Sequence, residues 1–65
     1  MKKLYRTRYT NGRLGQLHET LGDAITAAAL AHENVEMSEL DGGRLRLHIG
    51  PLTLGHIEPC ESEAN

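Results

Sequence analysis

The chain has no Phe or Trp, two Tyr and a single Cys among its 65 residues. A lone Cys excludes an intramolecular disulfide, and no Cys/His set has the spacing of a zinc site. With so few large side chains, little material remains for the walls of a cofactor pocket. No apolar run approaches the roughly 20 residues that cross a bilayer, and no secretory hydrophobic region follows the first lysines. The free thiol of Cys60 is typical of a reducing cytosol.

The sequence also lacks a catalytic pattern. Cys60 has no fixed His or Asn partner, and a nucleophile needs a base within hydrogen-bond reach. Two carboxylates acting as acid and base need a cleft, which so short a chain does not obviously build. His48 and His56 fall on neighbouring predicted strands and can approach each other, but a third metal ligand is missing. We therefore expect a protein that is not an enzyme and that uses no cofactor and no metal.

What the chain does contain is an ordered distribution of charge. Five of its seven basic side chains lie in residues 1–18, which contain no carboxylate. Residues 19–41 contain six of the nine carboxylates and no Lys or Arg, and the net charge is only −2. Charge of one sign gathered on one surface creates a field that selects partners. We therefore look for function in binding surfaces.

The hydrophobic pattern predicts one α+β domain over residues 1–59, with a mobile acidic tail at 60–65. A single antiparallel sheet of about four to five strands is expected, with one helix packed on one face. The predicted strands are 4–10, 13–18, 35–40, 44–49 and 52–57, and Pro59 ends the last one. The element order is ββαβββ, or βαβββ if the second segment is an irregular return. A core this small makes either a monomer or a weak homodimer plausible.

The helix is predicted between Thr20 and Asn34. Thr20 serves as N-cap and Asp23 falls in the first turn, where the helix dipole favours a carboxylate. The alanine-rich stretch that follows suits a helix and allows close approach to a sheet. The face turned to the sheet is expected to carry Leu21, Ala24, Ile25, Ala28 and His32.

The first hairpin is predicted at Asn11-Gly12, a pair that favours a type I′ turn because both residues tolerate a positive φ. Side chains along the first strand alternate between the two faces of the sheet. Its tyrosines and Thr7 are expected on the helix side, and Arg6 and Arg8 on the other side.

The second hairpin is predicted around a three-residue loop, Asp41-Gly42-Gly43. That loop length pairs Met37 with Leu47, an apolar contact, whereas a shift of one residue would turn every side chain to the other face. The same register sets the pairs Val35–Ile49, Glu36–His48 and Ser38–Arg46.

The first candidate binding surface is acidic. Its predicted partner-binding residues are Glu33, Glu36, Glu39 and Asp41, with Asp23 and Glu19 in support. Carboxylates about 6–7 Å apart on one face of a strand would roughly match a multiple of the spacing of phosphates along DNA. The alternative is that these carboxylates keep the protein soluble and pair with Arg44 and Arg46 across the hairpin, where exposed pairs contribute about 0–1 kcal/mol.

The second candidate surface is basic. Lys3, Arg6, Arg8 and Arg13, interleaved with two tyrosines, have the composition of a β-ribbon that contacts nucleic acid. Arginine and lysine would neutralise phosphates, and tyrosine would stack on bases. The alternative is that the tyrosines face the core while the arginines solvate an open sheet and protect its edge.

Together, the two hairpins, the Thr20–Asn34 helix and the acidic stretch at 33–41 resemble the small anti-CRISPR proteins of phages and mobile elements. The resemblance is architectural and covers nearly the whole chain. It is greatest to inhibitors of type I systems, with type I-C as the suggested subtype. It implies a stoichiometric inhibitor in the cytoplasm of a bacterial host. Such an inhibitor binds the RNA-guided surveillance complex and blocks target DNA, in some members by acidic DNA mimicry.

Overall fold

The computed structural model describes residues 2–62, and the side chains of residues 3–60. The strands are β1 (Lys2–Tyr9), β2 (Glu36–Glu39), β3 (Leu45–Ile49) and β4 (Leu52–Ser62), and the helix α1 is Leu21–Ala31. The strands form one antiparallel sheet in the order β1-β4-β3-β2. The α+β prediction is confirmed, in its βαβββ form. Within the described range, α1 is too short to span a bilayer and no other helix could do so.

Helix α1 begins as predicted. The backbone N–H of Asp23 donates to the side-chain oxygen of the N-cap Thr20, 3.1 Å away. The helix ends earlier than expected, with His32 as C-cap, and the left-handed φ of 60° at Asn34 follows two residues later. Residues 32–35 then connect the end of the helix to β2.

The core is a thin layer between α1 and the middle of the sheet. Leu47 of β3 and Ile57 of β4 are completely buried, and Ala24 and Ala28 of the helix pack against them. Because alanine has almost no side chain, the helix backbone comes close to the sheet and shields these two large residues. The predicted helix face is therefore confirmed, with Leu21 and Ile25 half-buried beside it.

The first turn differs from the prediction. Gly12 has a positive φ of 91°, but Asn11 does not, so the turn is not of type I′. The returning segment pairs Tyr9 with Arg13 and then Thr7 with Gly15. It next pairs Tyr5 with His18, which requires one extra residue on the returning side. That insertion breaks the ladder, so residues 13–18 cover the outer edge of β1 without forming a strand.

The second hairpin follows the predicted register. Met37 lies opposite Leu47, Glu36 opposite His48 and Ser38 opposite Arg46. Residues 41–43 form a short 3₁₀ turn, closed by a 2.8 Å hydrogen bond from the N–H of Leu40 to the carbonyl of Arg44. Strand β2 starts at Glu36, so Val35 precedes the strand and the expected Val35–Ile49 pair is not part of the β2–β3 ladder.

Strand β4 contains a bulge that alternation alone does not predict. His48 lies opposite Thr53 and Leu47 lies opposite Gly55, so Leu54 is the extra residue. Beyond the bulge, the odd-numbered and even-numbered side chains of β4 exchange faces of the sheet. Ile57 therefore faces the core, and His56 lies on the same side as Thr53.

The prediction that Pro59 ends the last strand is wrong, because β4 continues to Ser62. Pro59 lies opposite Tyr5, whose N–H and C=O bond to His18 on the other side. The nitrogen of Pro59 therefore points away from β1, to a side where β3 no longer runs, and no ladder bond is lost. The expected tail at 60–65 overlaps the strand over residues 60–62, and its remaining residues lie outside the described range.

Candidate binding surfaces

The four main acidic residues lie along one side of the molecule, and we call them the acidic edge: Glu33, Glu36, Glu39 and Asp41. Strand β2 is the outermost strand of the sheet, and all four side chains are exposed. Within residues 3–60, no ion pair holds any of them. Their charge is therefore directed to solvent, where it is available to a partner.

The carboxylates of β2 do not share one face. Met37 packs against the core, so Glu39, two residues later, points to the helix side. Glu36 lies opposite His48 and points to the other side. The prediction of a row of carboxylates on one strand face, matched to phosphate spacing, is therefore wrong. The acidic edge instead presents charge on both sides of β2.

Asp23 and Glu19 lie at the beginning of α1. Leu21 lines the same surface depression as Glu39 and Gly43, so the helix start adjoins the Asp41 end of the acidic edge. Asp23 also lies in the first turn of the helix, where the dipole stabilises a negative charge. The two supporting carboxylates thus extend the negative surface around one end of the sheet.

The alternative, neutralisation of the acidic edge by Arg44 and Arg46, is not found within residues 3–60. The Nε–H of Arg44 donates to the backbone carbonyl of Asp41, 3.0 Å away. The Nε–H of Arg46 donates to the hydroxyl of Thr53 at 2.9 Å. In the described part of the chain, neither arginine pairs with a carboxylate of the acidic edge.

The structure separates the four basic residues of the predicted ribbon. Arg6 and Arg8 contact Glu58 on the sheet face opposite α1, which we call the open face. Arg13 lies in the loop, beside Tyr9 and the helix end at His32. Side chains along β1 alternate between the two faces, so Lys3 lies on the helix side with the tyrosines. Because residues 13–18 form no return strand, the four basic residues do not lie on a two-stranded ribbon. That these residues bind nucleic acid stays a prediction.

The tyrosines of β1 lie on the helix side, as alternation predicts. Tyr5 packs against the core, and the hydroxyl of Tyr9 is 3.0 Å from Nε2 of His32, with the two rings edge to face. Neither ring is available to stack on a base from the open face. Recognition at the open face must therefore rely on charge and hydrogen bonds.

Glu58 organises the charges of the open face. The Nε–H of Arg8 donates a bifurcated hydrogen bond to both carboxylate oxygens of Glu58, at 3.1 and 3.2 Å, and the carboxylate lies 3.0 Å from Nε2 of His56. Arg6 approaches the same carboxylate at 3.5 Å. Partial burial by itself raises the pKa of Glu58, but the hydrogen bonds from His56 and Arg8 and the charge of Arg8 outweigh it, so this pKa lies below its ordinary value.

We expect Glu58→Gln to lower the free energy of unfolding by about 1–2 kcal/mol at neutral pH. Because the folded-state pKa of Glu58 is depressed, its contribution is present above the unfolded pKa and disappears as pH falls through the folded value. Urea unfolding from about pH 7 to about pH 3 should show a smaller loss of stability for the variant than for the parent. Equal losses would mean that Glu58 is not a source of acid sensitivity.

Sequence reasoning missed the second half of the open face. Arg46, Thr53 and His56 are placed together by the bulge at Leu54, which shifts the register between β3 and β4. The sequence did contain a sign of this bulge: Leu54 and Ile57 are both apolar but lie three positions apart, an odd number. A regular strand cannot direct both of them to the same core.

No protein-family profile matches this chain, and neither a curated protein nor a solved structure shows significant similarity to it.

Proposed function

We propose that the protein is a non-enzymatic inhibitor that binds a DNA-reading host complex of the type I CRISPR class through its acidic edge. The observation that carries the proposal is that two exposed carboxylates lie on the outer strand β2 and two more in the turns beside it, while no ion pair within residues 3–60 holds them. A surface of this sign complements an arginine- and lysine-lined DNA groove. Charge complementarity speeds the encounter and sets the orientation of the bound protein.

The mechanism is occupation of the groove. The acidic edge presents Glu36 and Glu39 to opposite sides of β2, so both walls of a narrow positive groove can contact a carboxylate. Asp41 and the start of α1 extend this charge at one end. DNA is excluded because its phosphates require the same cationic side chains.

The test is a gel-shift measurement of target-DNA binding by a purified type I surveillance complex in the presence of the protein. We expect the double reversal Glu36→Lys and Glu39→Lys to weaken inhibition at least about tenfold, which corresponds to about 1.4 kcal/mol of binding free energy. Both side chains are exposed, so circular dichroism should show an unchanged fold.

Two further variants separate position from net charge. Glu36→Gln with Glu39→Gln, and Leu14→Lys with Gln16→Lys in the exposed segment that covers the opposite edge of the sheet, each change the net charge from −2 to zero. Only the first pair should weaken inhibition. Equal weakening by both pairs would refute the acidic edge as the contact. A parent protein that leaves DNA binding unchanged would refute the proposed function itself.

A further inference from the structure

On the open face, the register of the sheet aligns cationic side chains across three strands. Arg8 of β1 lies opposite His56 of β4, and His56 lies opposite Arg46 of β3. Neighbouring strands are about 4.8 Å apart, so the backbones that carry the two arginines are separated by about 10 Å. The three side chains line one open depression of about 350 Å³, together with Thr53, Thr10 and Leu40.

Donors and positive charge are in excess at this site. Arg8 and Arg46 line the depression. Glu58 lies beside it in contact with Arg8 and Arg6, so three positive charges face one negative charge, a surplus of two. Within the described residues, the Nε atom of Arg6 is buried with no hydrogen-bond partner. The other carboxylate of this face, Glu36, lies out on the edge strand opposite His48.

The two arginines that line the depression are held in place by contacts that leave their outer nitrogens for a ligand. The hydrogen bonds described for Arg8 and Arg46 use Nε, toward Glu58 and Thr53 respectively. Each guanidinium has four further N–H donors on its terminal nitrogens. Side chains that are already ordered lose little conformational entropy when a ligand binds.

We propose that this depression binds the phosphate group of a nucleotide or of a nucleic-acid strand, between Arg8 and Arg46 with His56 beneath it. A planar guanidinium pairs with two oxygens of a phosphate at once, and two such groups flank this site. Both tyrosine rings lie on the helix side, so the ligand is recognised through its phosphate and not through its base. Glu36 of the acidic edge shares the open face with this site, but the proposal does not depend on the proposed function.

The test is a titration of the isotopically labelled protein with inorganic phosphate, followed by two-dimensional NMR at constant ionic strength. We expect saturable shifts at the amides of Arg8, Arg46 and His56, with a Kd of about 1 mM or lower. Arg46→Gln should weaken binding at least about fivefold. Arg13→Gln, which removes the same charge from the loop at the helix end, should leave the Kd within about twofold of the parent, a small change in free energy.

Two further probes identify the source of the phosphate. A mononucleotide that binds as tightly as a single-stranded oligonucleotide supports a free nucleotide as ligand. An oligonucleotide that binds more tightly, with steep salt dependence that Arg46→Gln reduces, supports a nucleic-acid strand. Non-saturable shifts with all three probes, or equal losses in the Arg46→Gln and Arg13→Gln variants, would overturn the proposal.

Discussion

Replacing Gly55 with alanine should destabilise the fold strongly or abolish it. A Cβ atom at this position would lie 2.8 Å from Cα of Tyr9 and 3.1 Å from the carbonyl carbon of Arg8, with the carbonyl oxygen of Arg8 closer still. All three atoms are backbone, so no side chain can rotate away. Strands β1 and β4 would have to separate where Tyr9 pairs with Gly55.

The expected loss is at least about 3 kcal/mol, the upper part of the range for overfilled interiors. A chain of 65 residues has a total stability of only about 3–10 kcal/mol. Thermal unfolding followed by circular dichroism should therefore show no cooperative transition for Gly55→Ala, or one lowered by more than about 12 °C.

Gly22→Ala is the matched control, since it adds the same methyl group to a different glycine. Gly22 lies in the first turn of α1, and the nearest atom to a new Cβ is the Thr20 hydroxyl at 3.9 Å. Alanine is the better helix residue, so this variant should gain up to about 1 kcal/mol. Similar melting temperatures for the two variants would show that β1 and β4 do not approach each other this closely.

The second large effect is expected for Leu47→Ala. Leu47 is completely buried under Ala24 and Ala28, which are too short to fill the space that the change would leave. Removing a buried leucine in this way costs about 2–5 kcal/mol, through lost transfer free energy and the cavity that remains. That loss is a large fraction of the domain's total stability of about 3–10 kcal/mol.

Leu30→Ala makes the same chemical change at a side chain that is 85% exposed on α1. Its unfolding free energy should stay within about 0.5 kcal/mol of the parent value. Urea unfolding of the two variants compares them directly. If Leu47→Ala were as stable as Leu30→Ala, the core would not be centred on β3.

Local signals in the sequence were sufficient for the helix and for one hairpin. The hydroxyl of Thr20 and the alanine run define α1, and they act within a few residues of one another. The three-residue loop after Leu40 sets the register of β2 and β3 through a single choice of length. Both features depend on neighbours along the chain, which a sequence displays directly.

The parts that were missed depend on contacts between distant residues. Residues 13–18 have strand-like polarity, but their pairing with β1 changes register before His18. Pro59 is tolerated in β4 only because no strand lies on the side of its nitrogen. Neither condition can be seen from the residues on either side. The direction of Glu39, in contrast, follows by strand alternation from Met37, which the predicted register already paired with Leu47.

The position of β4 between β1 and β3 has a consequence for synthesis. On the ribosome, β1 emerges first, but its hydrogen-bonding partner is the strand that emerges last of the four. Until Ile57 has left the exit tunnel, Leu47 also lacks its neighbour in the core. Before β4 has emerged only the β2–β3 hairpin can form, so the four-stranded sheet assembles once its last strand has left the tunnel.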